Sequence, residues 1–123
     1  MFRFSERSQE RLNTCDERLR RICEEAIQVS PIDFTVLCGH RNRISQMIAY
    51  QEGKSKLTWP KSKHNQKPSL AVDLAPYPLD WNDKNRFYLL AGCILTIANQ
   101  LDIPLEWGGS WGWDLPHYQI KGE

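Results

Sequence analysis

Three histidines, His40, His64 and His117, are the whole imidazole supply of this 123-residue chain, so any histidine-based chemistry must draw on them. A carboxylate stands where one of them would find it useful: Asp73 lies between Val72 and Leu74 in the apolar run LAVDLAP. A charge buried there without partners is costly, so Asp73 needs a cation or several donors beside it. A structural ion pair or a turn cap would satisfy it as well as a functional partner. His64 precedes Asp73 by nine residues, and His117 lies in LPHYQI near the C-terminus. One carboxylate and two imidazoles form a sensible three-ligand set for a catalytic zinc, whose fourth position stays open. Spacing alone is weak support, because a lone histidine is more often a packed or surface residue. Asp114, three residues ahead of His117, is close enough to act as a base beside such a set, or simply to cap the turn. The chain has no H-E-x-x-H, which excludes the common helix-borne zinc protease arrangement.

These residues must be positioned by a small number of elements. Leu19, Ile22, Cys23, Ala26 and Ile27 follow the spacing of an amphipathic helix, with Thr14 and Glu17 forming a capping box at its start. Phe34, Val36 and Cys38 alternate along a short strand that turns at Gly39, and residues 44–52 read as a short helix closed by Gly53. Residues 53–69 hold five Lys, two Pro and little periodicity, which predicts a long exposed loop. LAVDLAP then reads as a buried strand. Asp83 is placed to cap a second long helix to about Leu101, burying Phe87, Leu90, Ala91, Ile94 and Ala98. PLEW and LPHYQI complete the strands; on the last, Leu115, His117 and Gln119 share one face. The expected class is α+β, a small antiparallel sheet packed with two main helices.

Composition narrows the function. Hydrophobic residues at 41% and charged residues at 25% describe one globular domain over residues 1–123, with no room for a separate wall-binding or other module. Net charge is +1, but residues 31–67 carry seven basic against two acidic side chains, and residues 68–123 carry three against seven. Nucleic-acid binders show a basic excess across the domain, so that class is disfavoured. Two oppositely charged regions either face each other or jointly handle a charged substrate, although a plain solvated face is the commoner explanation of lysine runs. Cys15, Cys23, Cys38 and Cys93 form no C-x-x-C pair and read as reduced, structural residues. No signal peptide or membrane span is visible, which implies synthesis in the cytoplasm.

Taken together, Ser62-Lys63-His64, Ala71-Val72-Asp73 and Asp114-Leu115-Pro116-His117 resemble the S-x-H, A-x-D and [E/D]-x-x-H pattern of the zinc D-alanyl-D-alanine carboxypeptidase and L-alanyl-D-glutamate endopeptidase family. Gly39-His40-Arg41 with Gln46 matches its G-x-R and downstream Gln, and SKHNQKPSLAVDLAPYPLDW, LEWGG and DLPHYQ are most similar to its single-domain bacteriophage endolysins. The resemblance runs from about Phe34 to Ile120. It implies a Hedgehog/DD-peptidase-like fold, zinc held by His64, Asp73 and His117, Asp114 as general base, and Arg41 binding substrate and a developing oxyanion. Ser62 and Gln46 become substrate-binding or supporting residues, and His40 has no role. The His64-to-Asp73 spacing is about two residues longer than usual for the family, without its intervening Gly.

The implied activity is hydrolysis of a peptidoglycan stem-peptide amide by an endolysin-type L-alanyl-D-glutamate endopeptidase. The alternatives are a D-alanyl-D-alanine carboxypeptidase, or a non-catalytic peptidoglycan-binding or phage structural module keeping the fold. The expected partner is the stem peptide, with no nucleic acid, no membrane insertion and a monomeric enzyme reaching the wall of its host through a separate export or lysis factor. Trp107, Trp111 and Trp113 flank Asp114 and are expected to pack in the core in preference to lining the substrate groove.

Overall fold

The computed structural model describes residues 1–122. The chain runs α1 (Glu6–Leu12), α2 (Glu17–Val29), β1 (Phe34–Cys38), α3 (Arg43–Gln51), a 3-10 turn (Lys63–Asn65), β2 (Ala71–Pro76), α4 (Lys84–Gln100), β3 (Leu105–Trp107), a second 3-10 turn (Gly108–Trp111) and β4 (His117–Ile120). The four strands form one antiparallel sheet in the order β1-β2-β4-β3. Strand alternation divides its faces. Val36, Val72, Leu74, Tyr118 and Ile120 point into a core shared with the apolar stripes of α2 and α4. Asp73, His117 and Gln119 belong to the alternate positions and face the other way.

The predicted α2 stripe of Leu19, Ile22, Cys23, Ala26 and Ile27 is buried throughout. Its start differs from the expected capping box. Asp16 caps the helix by accepting from the Arg18 amide, whereas Thr14 donates to the Arg11 carbonyl at 2.6 Å and accepts from the His40 amide at 2.8 Å. Thr14 is thus spent on tying the α1–α2 connection to the turn after β1. Asp83 does precede α4, but its side chain makes no capping bond.

Helix α1 has no counterpart in the periodicity reading, since only Ser8 and Leu12 are buried along it. Its stability is tertiary. Ser8 Oγ accepts from the Val36 amide at 3.1 Å and Arg11 donates to the Val36 carbonyl at 3.1 Å, so α1 satisfies the free edge of β1. Burial pushes the Cys15 thiol up to about 12 and raises Cys23 as well, in keeping with structural cysteines.

Candidate active site

Strand register does most of the positioning. Asp73 on β2 lies directly opposite His117 on β4, which places their side chains together on the face away from the core. His64 arrives from the loop on the 3-10 turn. Ser62 Oγ accepts from the His64 amide at 3.2 Å while Asn65 Oδ1 accepts from the Ser62 amide at 3.1 Å, so the turn is held by a reciprocal cap. Ser62 therefore acts as a support for His64. Its partner Asn65 escaped the sequence reading, although the S-x-x-N spacing of Ser62 and Asn65 carried the signal.

Each imidazole is oriented by its outer nitrogen. His64 Nδ1 lies 2.7 Å from the Gly39 carbonyl, which can only accept, so in the neutral ring that a metal requires Nδ1 carries the proton and Nε2 the lone pair. That Nε2 is 3.1 Å from Asp73 Oδ1, and His117 Nδ1 is 3.2 Å from the same oxygen. Ligand atoms about 2.0–2.1 Å from a tetrahedral zinc sit about 3.3 Å from each other. The two donor pairs that share Asp73 Oδ1 are thus spaced as edges of a zinc coordination shell, and all three donors lie within 4.8 Å of one another. The residues present fit a metal, and the longer His64-to-Asp73 connection does not disturb them. Gly39 must be glycine for this: a Cβ there would collide with Thr14 Oγ1 and the Arg11 carbonyl.

Arg41 reaches the same carboxylate, with Nη2 3.6 Å from Asp73 Oδ2. Its other arm donates to Gln46 Oε1 at 3.0 Å, and the wholly buried Gln46 is itself held by Asn65, Ser55 and the Leu57 carbonyl. Gln46 is therefore a clamp on Arg41 behind the site. Asp114 Oδ2 lies 4.0 Å from His117 Nδ1, close to the donor set yet outside contact distance for a ligand. Burial raises the Asp114 carboxyl against the opposing pull of His117. His40 faces away, bonded to the Gln66 carbonyl.

Gly108 fixes the approach of Asp114. A Cβ on it would meet the Asp114 carbonyl, Asp114 Cβ at 2.7 Å and His117 Cβ at 3.1 Å. Gly108→Ala is expected to displace both side chains and to lower kcat at least about tenfold, since small misplacements of reacting groups are costly. Steady-state kinetics beside the melting temperature would separate this from unfolding.

Electrostatics make the metal-free site a charged cluster. Burial opposes charge on His64, but the Asp73 carboxylate outweighs it, pushing the imidazole up to about 10. Burial likewise opposes charge on Asp73, and His64 with His117 overrides it, holding the carboxyl far below its usual range. The Asp73 contribution to stability is present above its ordinary value of 3.8 and is lost as pH falls toward its folded value. The His64 contribution is complete below 6.5 and lost as pH rises toward about 10. Without metal, melting temperature should therefore peak between about pH 4 and 6.5. Added zinc, which needs neutral imidazoles, should raise it more as pH increases through neutrality. Thermal melts across pH, with chelator and with zinc, check both slopes.

Two cavities meet at this cluster, one of about 820 Å³ and one of about 250 Å³, and both are lined by Arg41, Lys54, Asp73, Trp113 and Asp114. The larger continues past Ile48 and Trp81; the smaller continues past Lys56, Lys61 and Lys63. The basic loop thus borders the site. Trp107 packs against the core and donates to the Leu115 carbonyl at 2.7 Å, as expected. Trp111 and Trp113 depart from that expectation: they are 41% and 42% exposed and form groove wall, with Lys56 Nζ 4.2 Å over the Trp113 ring. The Gly- and Trp-rich turn is too short to carry all three rings inward.

Comparison with known proteins agrees with this geometry. A family model described as phage L-alanyl-D-glutamate peptidase matches residues 1–121. The L-alanyl-D-glutamate peptidase of Escherichia phage T5 is 32% identical over 114 residues, spanning 89% of this chain and 82% of the relative. The crystal structure of the Serratia marcescens L-Ala D-Glu endopeptidase ChiX superposes with a TM-score of 0.83 at 29% identity, covering 98% of this chain and 90% of that one.

Proposed function

The chain belongs to the phage L-alanyl-D-glutamate peptidase family, and from that premise we propose that it is a zinc-dependent endopeptidase cutting the L-alanyl-D-glutamate bond of the peptidoglycan stem peptide. The observation that carries this reading is the meeting of His64, Asp73, His117, Asp114 and Arg41 where two cavities join. Two cavities that share Arg41, Asp73 and Asp114 leave room beyond a terminal residue, which favours the endopeptidase over a D-alanyl-D-alanine carboxypeptidase.

His64, Asp73 and His117 would hold the zinc. When bound, it supplies a Lewis acid that polarises the scissile carbonyl and makes water more acidic. Asp114 takes the proton of the attacking water and passes it to the departing amine of D-Glu. Arg41, held rigid by Gln46, offers its free N–H groups to the carbonyl oxygen as negative charge develops there. The stem peptide carries carboxylates on the D-Glu side of the bond, and the lysines of the smaller cavity suit them. We propose that this single domain recognises and cuts the wall as a monomer. No helix among the described residues is long and apolar enough to cross a membrane. We propose the cell wall as the site of action, reached from the cytoplasm through a separate lysis factor.

Digestion of purified peptidoglycan, followed by mass spectrometry, tests the reading. New amino-terminal D-Glu, abolished by chelation and restored by zinc, is the expected result. Release of D-Ala alone would overturn the endopeptidase assignment, and activity unaffected by chelation would overturn the metal.

A further inference from the structure

His117 is oriented by groups that the mechanism above does not use. Its Nε2 lies 2.8 Å from Gln119 Oε1, and Gln119 Nε2 donates to Glu106 Oε1 at 2.9 Å. Glu106 on β3 and Gln119 on β4 are register partners, so the pair is built into the sheet. The second Glu106 oxygen accepts from Trp111 Nε1 at 3.3 Å, and the Trp111 ring lies tilted 5.4 Å from the His117 ring.

The chain of bonds has one consistent direction. A carboxylate only accepts, so the NH2 end of the Gln119 amide must face Glu106. That leaves the amide oxygen toward His117, and two acceptors cannot pair, so His117 Nε2 must carry a proton. The lone pair of the neutral ring then falls on Nδ1, toward Asp73 Oδ1, and only a cation between these two acceptors satisfies both. The donors from Gln119 and Trp111 also hold the Glu106 carboxyl below its usual range, which keeps it an acceptor.

We propose that Glu106 acts through Gln119 as a positioning residue that locks His117 in its Nδ1-ligating tautomer and so sets the affinity of the site for its metal. This rests on the zinc-site reading above. A glutamine in place of Glu106 can donate as well as accept. The Gln119 amide is then free to turn over and present its NH2 to His117 Nε2, favouring the tautomer whose Nδ1 is protonated and cannot ligate. Trp111 contributes by keeping the carboxylate in place, which gives this exposed tryptophan a role besides forming groove wall.

The test compares the parent with Glu106→Gln and Gln119→Ala. Zinc affinity is measured by chelator competition, and the ring nitrogens of His117 are followed by NMR in the zinc-saturated proteins. Loss of an outer partner of a ligating histidine weakens metal binding by about 10–100-fold. A fall of that size in both variants is expected, together with a His117 Nε2 proton no longer held by the Gln119 oxygen and an unchanged metal-free fold by circular dichroism. Variants that bind zinc as tightly as a zinc-binding parent, with His117 still protonated at Nε2, would overturn the relay and leave the peptidase reading intact. A folded parent that binds no zinc would instead overturn the metal reading, and with it the proposed purpose of the relay.

Discussion

Asp73→Asn is expected to leave peptidoglycan hydrolysis below detection and to weaken zinc binding well beyond the roughly 10–100-fold that losing an outer partner costs. One carboxylate performs three tasks. Its Oδ1 is the shared neighbour of His64 Nε2 and His117 Nδ1, at 3.1 and 3.2 Å, and its Oδ2 is the anchor of Arg41 at 3.6 Å. An amide keeps the shape but supplies no negative charge to the metal or to the guanidinium. It also exposes the cost of His64, which is buried and whose raised pKa depends chiefly on Asp73 opposing that burial. With the carboxylate gone, burial is opposed only by the weaker contacts with Cys38, and the imidazole's pKa should fall in the metal-free protein. The acid-side stability maximum predicted for the parent should therefore flatten in the variant. Zinc stoichiometry, release of amines from peptidoglycan and thermal melts across pH read the three effects separately. A variant that keeps stoichiometric zinc and near-parent activity would remove Asp73 from the metal set.

How much of this was legible beforehand depends on whether the signal was local. Asp73 announced itself because a charge in the run LAVDLAP conflicts with the strand around it, and such conflicts collect at functional sites. The α2 stripe was equally plain, since its period is carried by residues within one element. The relation of Asp73 to His117 was a different matter. It depends on β2 and β4 being paired in one register across 44 positions, which only motif resemblance suggested before the sheet was seen. The same non-locality hid α1, whose side chains serve the edge of β1, and misdirected Thr14, whose hydroxyl is used on the turn after that strand. Gln119 was placed on the right face by alternation. Its function became visible only with Glu106 opposite it, because an amide takes its orientation from the groups around it.

Asp114→Asn should separate performing the reaction from holding the metal. We expect kcat to fall by about 10²–10⁴, the usual contribution of a positioned general base, with zinc affinity within a few-fold of the parent. The asymmetry follows from geometry. Asp114 Oδ2 stands 4.0 Å from His117 Nδ1, farther than Asp73 at 3.2 Å, and does not belong to the cluster whose donors share one small volume. Asparagine keeps the backbone bond from the His117 amide to the Asp114 carbonyl, and it keeps the contact with Gly108, so the turn should survive the exchange. What it loses is the capacity to accept a proton and return it. KM should change little, because substrate binding falls to Arg41 and the groove walls, whereas the barrier should rise by about 3–5 kcal/mol. Metal content, KM and kcat measured on one preparation decide the point. A fall in kcat smaller than tenfold would mean that another group carries the proton, whereas parallel loss of zinc would make Asp114 a ligand. Set beside Asp73→Asn, which should remove metal and activity together, the pair of variants assigns the two carboxylates to different steps even though both face the same imidazole.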